Sequence, residues 1–466
     1  MRRQCAGWVV GMLVSVVMCA SVQAVTPRTG TTLVTFPSGA MTNYTVGFDY
    51  SSAGGADMVI DKDGNPHIVT STGEVGHLGH LQYRRWTHAT NGWSGPVLTF
   101  EDGNGLEDDY RALTTVDDAN RVHLLYFHRV ATNTTSASDP NTPYDLYHVW
   151  CTNASGTTPL TTNNWVKTKI TTIGTNTLAA GLVSGSLISV GSNLLLYARG
   201  GVDADGNGLL DIRIDRADWD GSAWVWSTVG SNGLAIANTE NNTYGGLNTP
   251  RLTYDRLNNL LHMSYRRDIY PREQAYAVSS QPTNPIASTW TAQVRQGEIS
   301  PANYEGNGGT GILEDGRAVA AVYLGANRDG MGASVTNFTR VRATGFAGTW
   351  GPWKVAFSND FRSLGASGNS GYATPSAFAP DGAGGLFMVT GNQYVDHWDP
   401  KTETWADVFT NLPVGADSYA IANMGVIPQE YPKPCTIYHY RRDAMKLYVG
   451  QYFLMPNKPS ILIMLK

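Results

Sequence analysis

The sequence predicts an all-β fold, a seven-bladed β-propeller of four-stranded blades. Three observations predict it. Period-2 apolar runs flank short turns along the whole chain. One strand–turn–strand unit recurs seven times, its turns roughly 50–75 residues apart, a spacing that suits blades with long loops. After most of these hairpins a Thr/Tyr-rich run leads to a tryptophan that opens another strand.

Composition agrees. Gly (51), Tyr (23) and Trp (13) are abundant and charged residues make up only 15%, a mixture suited to short strands and tight turns rather than long surface helices. The hydrophobic share of 42% is enough for a large core in a 466-residue chain.

The hairpins, in order, are "ADMVIDKDGNPHIVTS" (56–71), "RALTTVDDANRVHLLYFHR" (111–129), "SLISVGSNLLLYARG" (186–200), "PRLTYDRLNNLLHMSYRR" (250–267), "TGILEDGRAVAAVYLGANR" (310–328), "PSAFAPDGAGGLFMVTGN" (375–392) and "SYAIANMGVIPQEYPKPCTIYHYRR" (418–442). The late tryptophans are Trp93, Trp165, Trp224 or Trp226, Trp290, Trp350 and Trp405. The seventh unit lacks one. Its outer strand is expected from "TLVTF" (32–36) or "ILIMLK" (461–466), which closes the ring and leaves no open edge. An array of β-sandwiches is the alternative, but no linker appears, and a sandwich would not repeat one hairpin with a late tryptophan.

Residues 1–24 read as a secretory signal: Arg2 and Arg3, an apolar stretch, and the small-residue site "SVQA" ending at Ala24. Met18 is bulky where a lipoprotein signal before Cys19 wants a small residue. The expected product is a single propeller domain over 25–466, secreted or periplasmic and monomeric. Without Arg2 and Arg3 it carries 31 basic against 38 acidic residues, a balance of −7. No basic stripe exists, which argues against nucleic acid, and no later segment is apolar enough to span a membrane. Cys151 and Cys435 fall on blades that are not neighbours, so two buried thiols are expected rather than a disulfide.

"DKDGNPHI…HLQYRRW" with its tryptophan strand resembles the BNR-type blades of the sialidase superfamily. The Asp-box and the Phe-Arg-Ile-Pro motif of sialidases are absent. Within the superfamily, His77-Leu-Gly-His-Leu81-Gln-Tyr83 is similar to the His-X-X-X-Leu-X-Tyr segment of the propeller polysaccharide lyases, ulvan lyases included. Those lyases also carry a histidine at the head of the hairpin, where this chain has Gly55, Ala56 and Asp57.

In a propeller blade the first strand begins, and the second ends, on one side of the disc. Five blades deliver arginine to that side: Arg129, Arg199, Arg266 or Arg267, Arg328, and Arg441 or Arg442. First-strand starts add Asp57, Asp108, Asp109, Tyr110, Tyr372, Asp417 and Tyr419, with Tyr304 and Glu305 just before blade five. Guanidinium suits planar anions held by paired hydrogen bonds, so an anionic glycan bearing uronate, sulfate or sialate is the expected ligand. The alternative is that each arginine pairs with an aspartate of the next blade and staples the ring.

His128 ends a second strand beside Arg129 and should face the axial cleft. His77 and His80 lie in the next loop of blade one, on the same side. His67, His123 and His262 sit inside second strands and read as satisfied core residues.

The segment Asp203-Ala-Asp205-Gly-Asn207-Gly208-Leu209-Leu-Asp211 has alternating side-chain oxygens, turn glycines and a closing carboxylate. With the Leu209 carbonyl this suits a hard cation that takes many oxygen ligands, so a structural Ca²⁺ is expected. The segment resembles the calcium loops of integrin-type propellers.

Three functions follow. A polysaccharide lyase would neutralise the uronate carboxylate with Arg199 and Arg266, take the adjacent proton with His128 or His77, and donate to the leaving oxygen from Tyr110. Arg129, Arg267, Arg328, Arg441, Tyr372, Glu305 and Asp109 would hold substrate. A sialidase-like hydrolase would use Asp108 or Asp109 with Glu305. A non-catalytic propeller would only bind glycan.

Overall fold

The computed structural model describes residues 34–35, 42–45, 56–61, 66–71, 81–87, 92–93, 98–99, 107–130, 144–151, 164–173, 185–240, 246–267, 273–291, 294–295, 304–305, 309–325, 335–357, 378–380, 384–390, 394–410, 423–427, 435–443 and 446–454. Among them every regular element is a strand except one 3-10 turn, Ala287–Thr289. No helix among the described residues is long and apolar enough to cross a membrane. Residues 1–24 and 461–466 lie outside the described residues.

Among the described residues the strands form seven antiparallel sheets. β1 (Val34–Thr35) and β2 (Thr42–Thr45) belong to the last of them. Sheet one runs β3 (Ala56–Ile60), β4 (Pro66–Ser71), β5 (Leu81–Thr87), β6 (Gly92–Trp93), with β7 (Leu98–Thr99) also on β5. Sheet two is β8 (Glu107–Val116), β9 (Val122–Val130), β10 (Tyr144–Cys151), β11 (Trp165–Ile173). Sheet three is β12 (Gly185–Ser189), β13 (Leu194–Val202), β14 (Asp211–Trp219), β15 (Trp224–Thr228), with β16 (Leu234–Ile236) on β14. Sheet four is β17 (Leu247–Asp255), β18 (Leu260–Arg267), β19 (Glu273–Ser279), β20 (Val294–Arg295).

In sheet five β21 (Tyr304–Glu305) and β22 (Gly309–Ile312) both pair with β23 (Ala318–Gly325), followed by β24 (Val335–Arg342) and β25 (Lys354–Phe357). Sheet six is β26 (Phe378–Pro380), β27 (Leu386–Thr390), β28 (Tyr394–Asp399), β29 (Thr404–Thr410). Sheet seven is β30 (Asn423–Ile427), β31 (Cys435–Asp443), β32 (Lys446–Leu454) and then β1, with Val34 opposite Phe453. A strand from the start of the chain thus completes a sheet built from its end, and it comes from 32–36.

The first strands lie side by side in chain order. β3 neighbours β8, β8 neighbours β12, and β12 neighbours β17. Sheet four reaches sheet five through its second strand, β18, which meets β22; β22 meets β26, β26 meets β30, and β30 meets β3. Apolar clusters fill the seams. Val69 and Tyr83 pack with Val122, Leu124 and Tyr126 between sheets one and two. Leu125 and Phe127 pack with Leu187, Leu195 and Tyr197 between two and three. β13 and β18 are buried along their whole length, which is why "LLLYA" is continuous rather than alternating: both faces of the strand are covered. Each such leucine contributes about 1.5–3 kcal/mol by burial.

The first hairpin turns of sheets two to five gather on one side. Asp118 N donates to Gly191 O at 3.3 Å, and Arg256 of sheet four pairs with Asp118 of sheet two. Gly316 lies so close to sheet four that a Cβ there would sit 2.4 Å from Asp255 Oδ2, and its φ of +80° adds a second requirement for glycine. The starts of first strands and the ends of second strands therefore occupy the opposite side.

Aspartate and histidine lock these hairpins. Asp117 Oδ1 accepts the N–H groups of Ala119 and Arg121, and His123 Nε2 faces its Oδ2 at 3.2 Å. Asp255 Oδ1 accepts from Leu257 and Asn258, with His262 Nε2 3.6 Å from Oδ2. In sheet one His67 Nε2 lies 3.0 Å from Asp61 Oδ2 and its Nδ1 bonds the Tyr83 hydroxyl. His262 meets the Tyr276 hydroxyl in the same way. His67, His123 and His262 are thus buried and paired, as the sequence suggested. Cys151 is fully buried and forms no disulfide; the side chain of Cys435 lies outside the described residues.

Candidate functional site

The side opposite the turns collects the ends of β9, β13 and β18. His128, near the end of β9, is 3% exposed. Register places Asp109 of β8 and Asp145 of β10 directly across from it on either flank. The Tyr147 ring meets the imidazole edge-on, centroids 5.4 Å apart. Asp145 accepts from Lys169 Nζ at 2.8 Å and Thr172 Oγ1 at 2.7 Å. Burial pushes its carboxyl up, but these two bonds and the charges of Lys169 and His128 outweigh it and hold the group below its ordinary range. Asp145 therefore stays ionised beside His128. Asp108 faces Arg129 and Tyr110 faces Phe127 in the β8–β9 register. The side chains of Asp108, Asp109, Tyr110 and Arg129 lie outside the described residues.

In sheet three Arg199 is 5% exposed and stands between Gly185 of β12 and Arg213 of β14. A Cβ at Gly185 would come within 2.7 Å of Tyr197 Cε2, so only glycine fits beside this arginine's strand. Arg199 Nε lies 3.5 Å from Asp215 Oδ2, in ion-pair range but too long for a hydrogen bond, while Arg213 holds Oδ1 at 2.9 Å. In sheet four Arg266 and Arg267 are each 5% exposed. As consecutive strand residues they project to opposite faces. Arg266 is opposite Gln274 and Asn248; Arg267 pairs with Glu240. They do not address one ligand from one face. The acidic partners Asp215 and Glu240 lie in the arginine's own sheet or the loop that follows sheet three, rather than on the next sheet.

Arg441 is opposite Tyr448 in sheet seven, and Glu305 opposite Leu324 in sheet five; their side chains lie outside the described residues. So do His77, Arg328 and Tyr372 altogether. Asp57 accepts the Thr114 N–H at 2.8 Å and so ties sheet one to sheet two. Sequence reasoning missed Asp145, Asp215, Glu240 and Gln274. The first three were visible as acids one strand or loop away from an arginine or histidine, but only register assigns them.

In the 203–211 loop, carboxylate oxygens of Asp203, Asp205 and Asp211 lie within 4.8 Å of one another. Gly206 and Gly208, at φ +79° and +82°, make the turns. Asp203 accepts from Gly206 N and Gly208 N, and Asn207 Oδ1 from Leu209 N. Asp211 is fully buried and accepts from Ala204 N and Asn238 N. Burial, together with the charges of Asp205 and Asp203, raises its carboxyl despite those bonds. Three crowded carboxylates form an oxygen-only donor set that suits a hard cation.

No family model matches the chain, and no curated protein matches it. Solved structures do, at low similarity. A Dyadobacter fermentans protein of unknown function is 10% identical with a TM-score of 0.45, covering 91% of this chain and 99% of that one. A polysaccharide lyase, an ulvan lyase bound to -[GlcA(1-4)Rha3S]-, is 11% identical with a TM-score of 0.45, covering 88% and 96%. A Trypanosoma rangeli sialidase mutant displaying trans-sialidase activity is 12% identical with a TM-score of 0.43, covering 92% of this chain and 60% of that one.

Proposed function

We propose that the chain is a secreted seven-bladed β-propeller, one domain over 25–466, that binds an anionic polysaccharide at the strand-end side and cleaves it by β-elimination. The observation that carries this reading is the placement of the buried guanidiniums of Arg199, Arg266 and Arg267 at second-strand ends of successive sheets, with His128 at the matching end of the preceding sheet. Arg199 and Arg266 neutralise the uronate carboxylate, which makes the neighbouring C–H more acidic. His128 takes that proton; its electron pair becomes the new C=C bond; the 4-linked C–O bond breaks; and Tyr110 protonates the departing oxygen. Ionised Asp145 stabilises the imidazolium so formed. His77 is the alternative base. Arg129, Arg267, Arg328, Arg441, Tyr372, Glu305 and Asp109 hold neighbouring sugars. A Ca²⁺ held by Asp203, Asp205, Asn207, Leu209 and Asp211 orders the loop between β13 and β14.

The near-complete burial of Arg199 and Arg267, and their pairing with Asp215 and Glu240, support a second reading: a glycan-binding propeller without catalysis.

Incubation with a panel of acidic polysaccharides separates the readings. The lyase produces ultraviolet absorbance from unsaturated uronate ends, and His128→Ala abolishes it while gel retardation by the polysaccharide persists. Reducing ends without absorbance indicate a hydrolase, and retardation alone a binder; either overturns β-elimination.

A further inference from the structure

A cavity of about 480 Å³ opens between sheets five and six. It lies on the turn side, away from Arg199, Arg266 and Arg267. Arg317 directly follows the β22–β23 turn, Arg340 sits near the end of β24 opposite Ala320, and Lys354 begins β25. Glu403, in the β28–β29 turn, comes from sheet six and is joined to Lys354 by an ion pair between the two walls.

Among the described residues the lining holds Arg317, Arg340 and Lys354 against the Glu403 carboxylate, with Asp315 beside it bonded to Arg317. The Arg340 guanidinium lies 4.8 Å from the Trp350 ring centroid and 4.4 Å from that of Trp353. Arg317 lies 5.5 Å from the ring of buried Trp398 and gives its Nε–H to Asp315 at 2.7 Å. Its Nη1 and Nη2 groups donate to nothing among the described residues. A guanidinium fixed by one bond and one ring, with its outer edge open to a cavity, is poised for a planar or tetrahedral anion.

We propose that this cavity is a second binding site for an acidic sugar residue, bearing carboxylate or sulfate, on the side of the ring opposite the strand-end site. The inference rests on the anionic-polysaccharide reading above. The open edge of Arg317 takes the acid group, and the guanidinium and indole planes of Arg340 and Trp350 flank the sugar face. The volume falls in the range of about 300–1,000 Å³ usual for small-ligand sites. Two sites on opposite sides let one long chain engage twice, which raises avidity without a new contact at the first site.

The test is calorimetric titration of the full chain with sodium glucuronate, with glucose and sodium sulfate as controls. The Arg199→Met variant isolates binding away from the strand-end side. In that background Arg317→Gln should weaken glucuronate binding about tenfold, the usual loss for one charge-assisted hydrogen-bonded group. Glu403→Gln, which removes the one acid of the lining among the described residues, should tighten it, and this second variant decides the matter if Arg317→Gln fails to fold. Unchanged binding in a folded Arg317→Gln variant, or in Glu403→Gln, overturns the second site and leaves the strand-end reading standing. Sulfate binding as well as glucuronate overturns the sugar assignment. If wild type binds no acidic sugar or polysaccharide, both readings fall.

Discussion

His123 and His148 are hydrogen-bonded to each other inside sheet two, Nδ1 to Nε2 at 3.2 Å, with both residues fully buried. Trp226 Nε1, which can only donate, gives its hydrogen to His148 Nδ1 at 3.2 Å. Neutral His148 must then carry its proton on Nε2 and donate to His123 Nδ1. The proton of His123 is then left on Nε2, which lies 3.2 Å from Asp117 Oδ2. The chain runs in one direction and holds two neutral imidazoles, so an added proton breaks it.

Acid should therefore destabilise the fold through histidine. Burial lowers His123 and His148 from the ordinary 6.5, and in His148 the charge of His123 adds to the effect. His262 is lowered by burial as well. These groups are neutral when folded and bind protons more readily when unfolded. Their stabilisation is intact above pH 6.5 and is lost as pH falls from there through the lowered folded values. Each adds a slope of up to about 1.4 kcal/mol per pH unit. Melting temperature should be flat above pH 7 and fall steeply below pH 6.5, less steeply in His148→Gln. A flat profile down to pH 5 would refute the neutral relay.

Arg199 and Asp215 can be separated by asking which is needed for folding. Asp215→Asn leaves two guanidiniums, of Arg199 and Arg213, without their shared carboxylate, and should cost about 3–5 kcal/mol, as unpairing a buried ion does. Arg199→Met leaves Asp215 with Arg213 and should cost far less, while weakening retardation by acidic polysaccharide to what the turn-side cavity alone supports. Denaturant melts and affinity gels on the two variants check this. Equal destabilisation would make Arg199 a staple and nothing more.

The hairpins were legible because their pattern is local: β3–β4, β8–β9, β12–β13 and β17–β18 fall within a few residues of the quoted units. Trp93, Trp165, Trp224 and Trp405 lie in fourth strands, and Trp290 and Trp350 bridge to the third strand just before theirs. What escaped depends on register and on contacts between sheets. Nothing near His128 in sequence marks Asp145, seventeen positions on, and only antiparallel pairing puts them opposite. Arg266 and Arg267 read as interchangeable until the pleat sends them to opposite faces. The Arg317–Arg340 cavity joins two sheets and has no local signature at all.

Calcium should raise the melting temperature of the wild type, and a chelator should reverse the shift. Gly206 N and Gly208 N bond different oxygens of Asp203, so Asp203→Asn keeps one of these two bonds and loses the other, a cost of about 1 kcal/mol in an exposed loop; the fold should survive while the calcium-dependent shift shrinks or vanishes. Thermal melts with and without the ion check this. An equal shift in both proteins would place any bound ion elsewhere.

Asp145 gives the most direct test of His128 as base. Its carboxylate lies across the strand from the imidazole, and the His128 charge is among the causes that keep it ionised. The effect is reciprocal: a carboxylate that gains from imidazolium also favours imidazolium. Asp145→Asn removes that support without touching substrate. If His128 must be neutral to accept the proton, the acid limb of the pH–rate profile should move to lower pH, and the maximal rate should fall as the base weakens. Affinity for the polysaccharide should stay within about twofold, since Asp145 only positions and polarises His128. A variant with lower activity but an unmoved acid limb would mean that Asp145 supports the strand and that the base is another group.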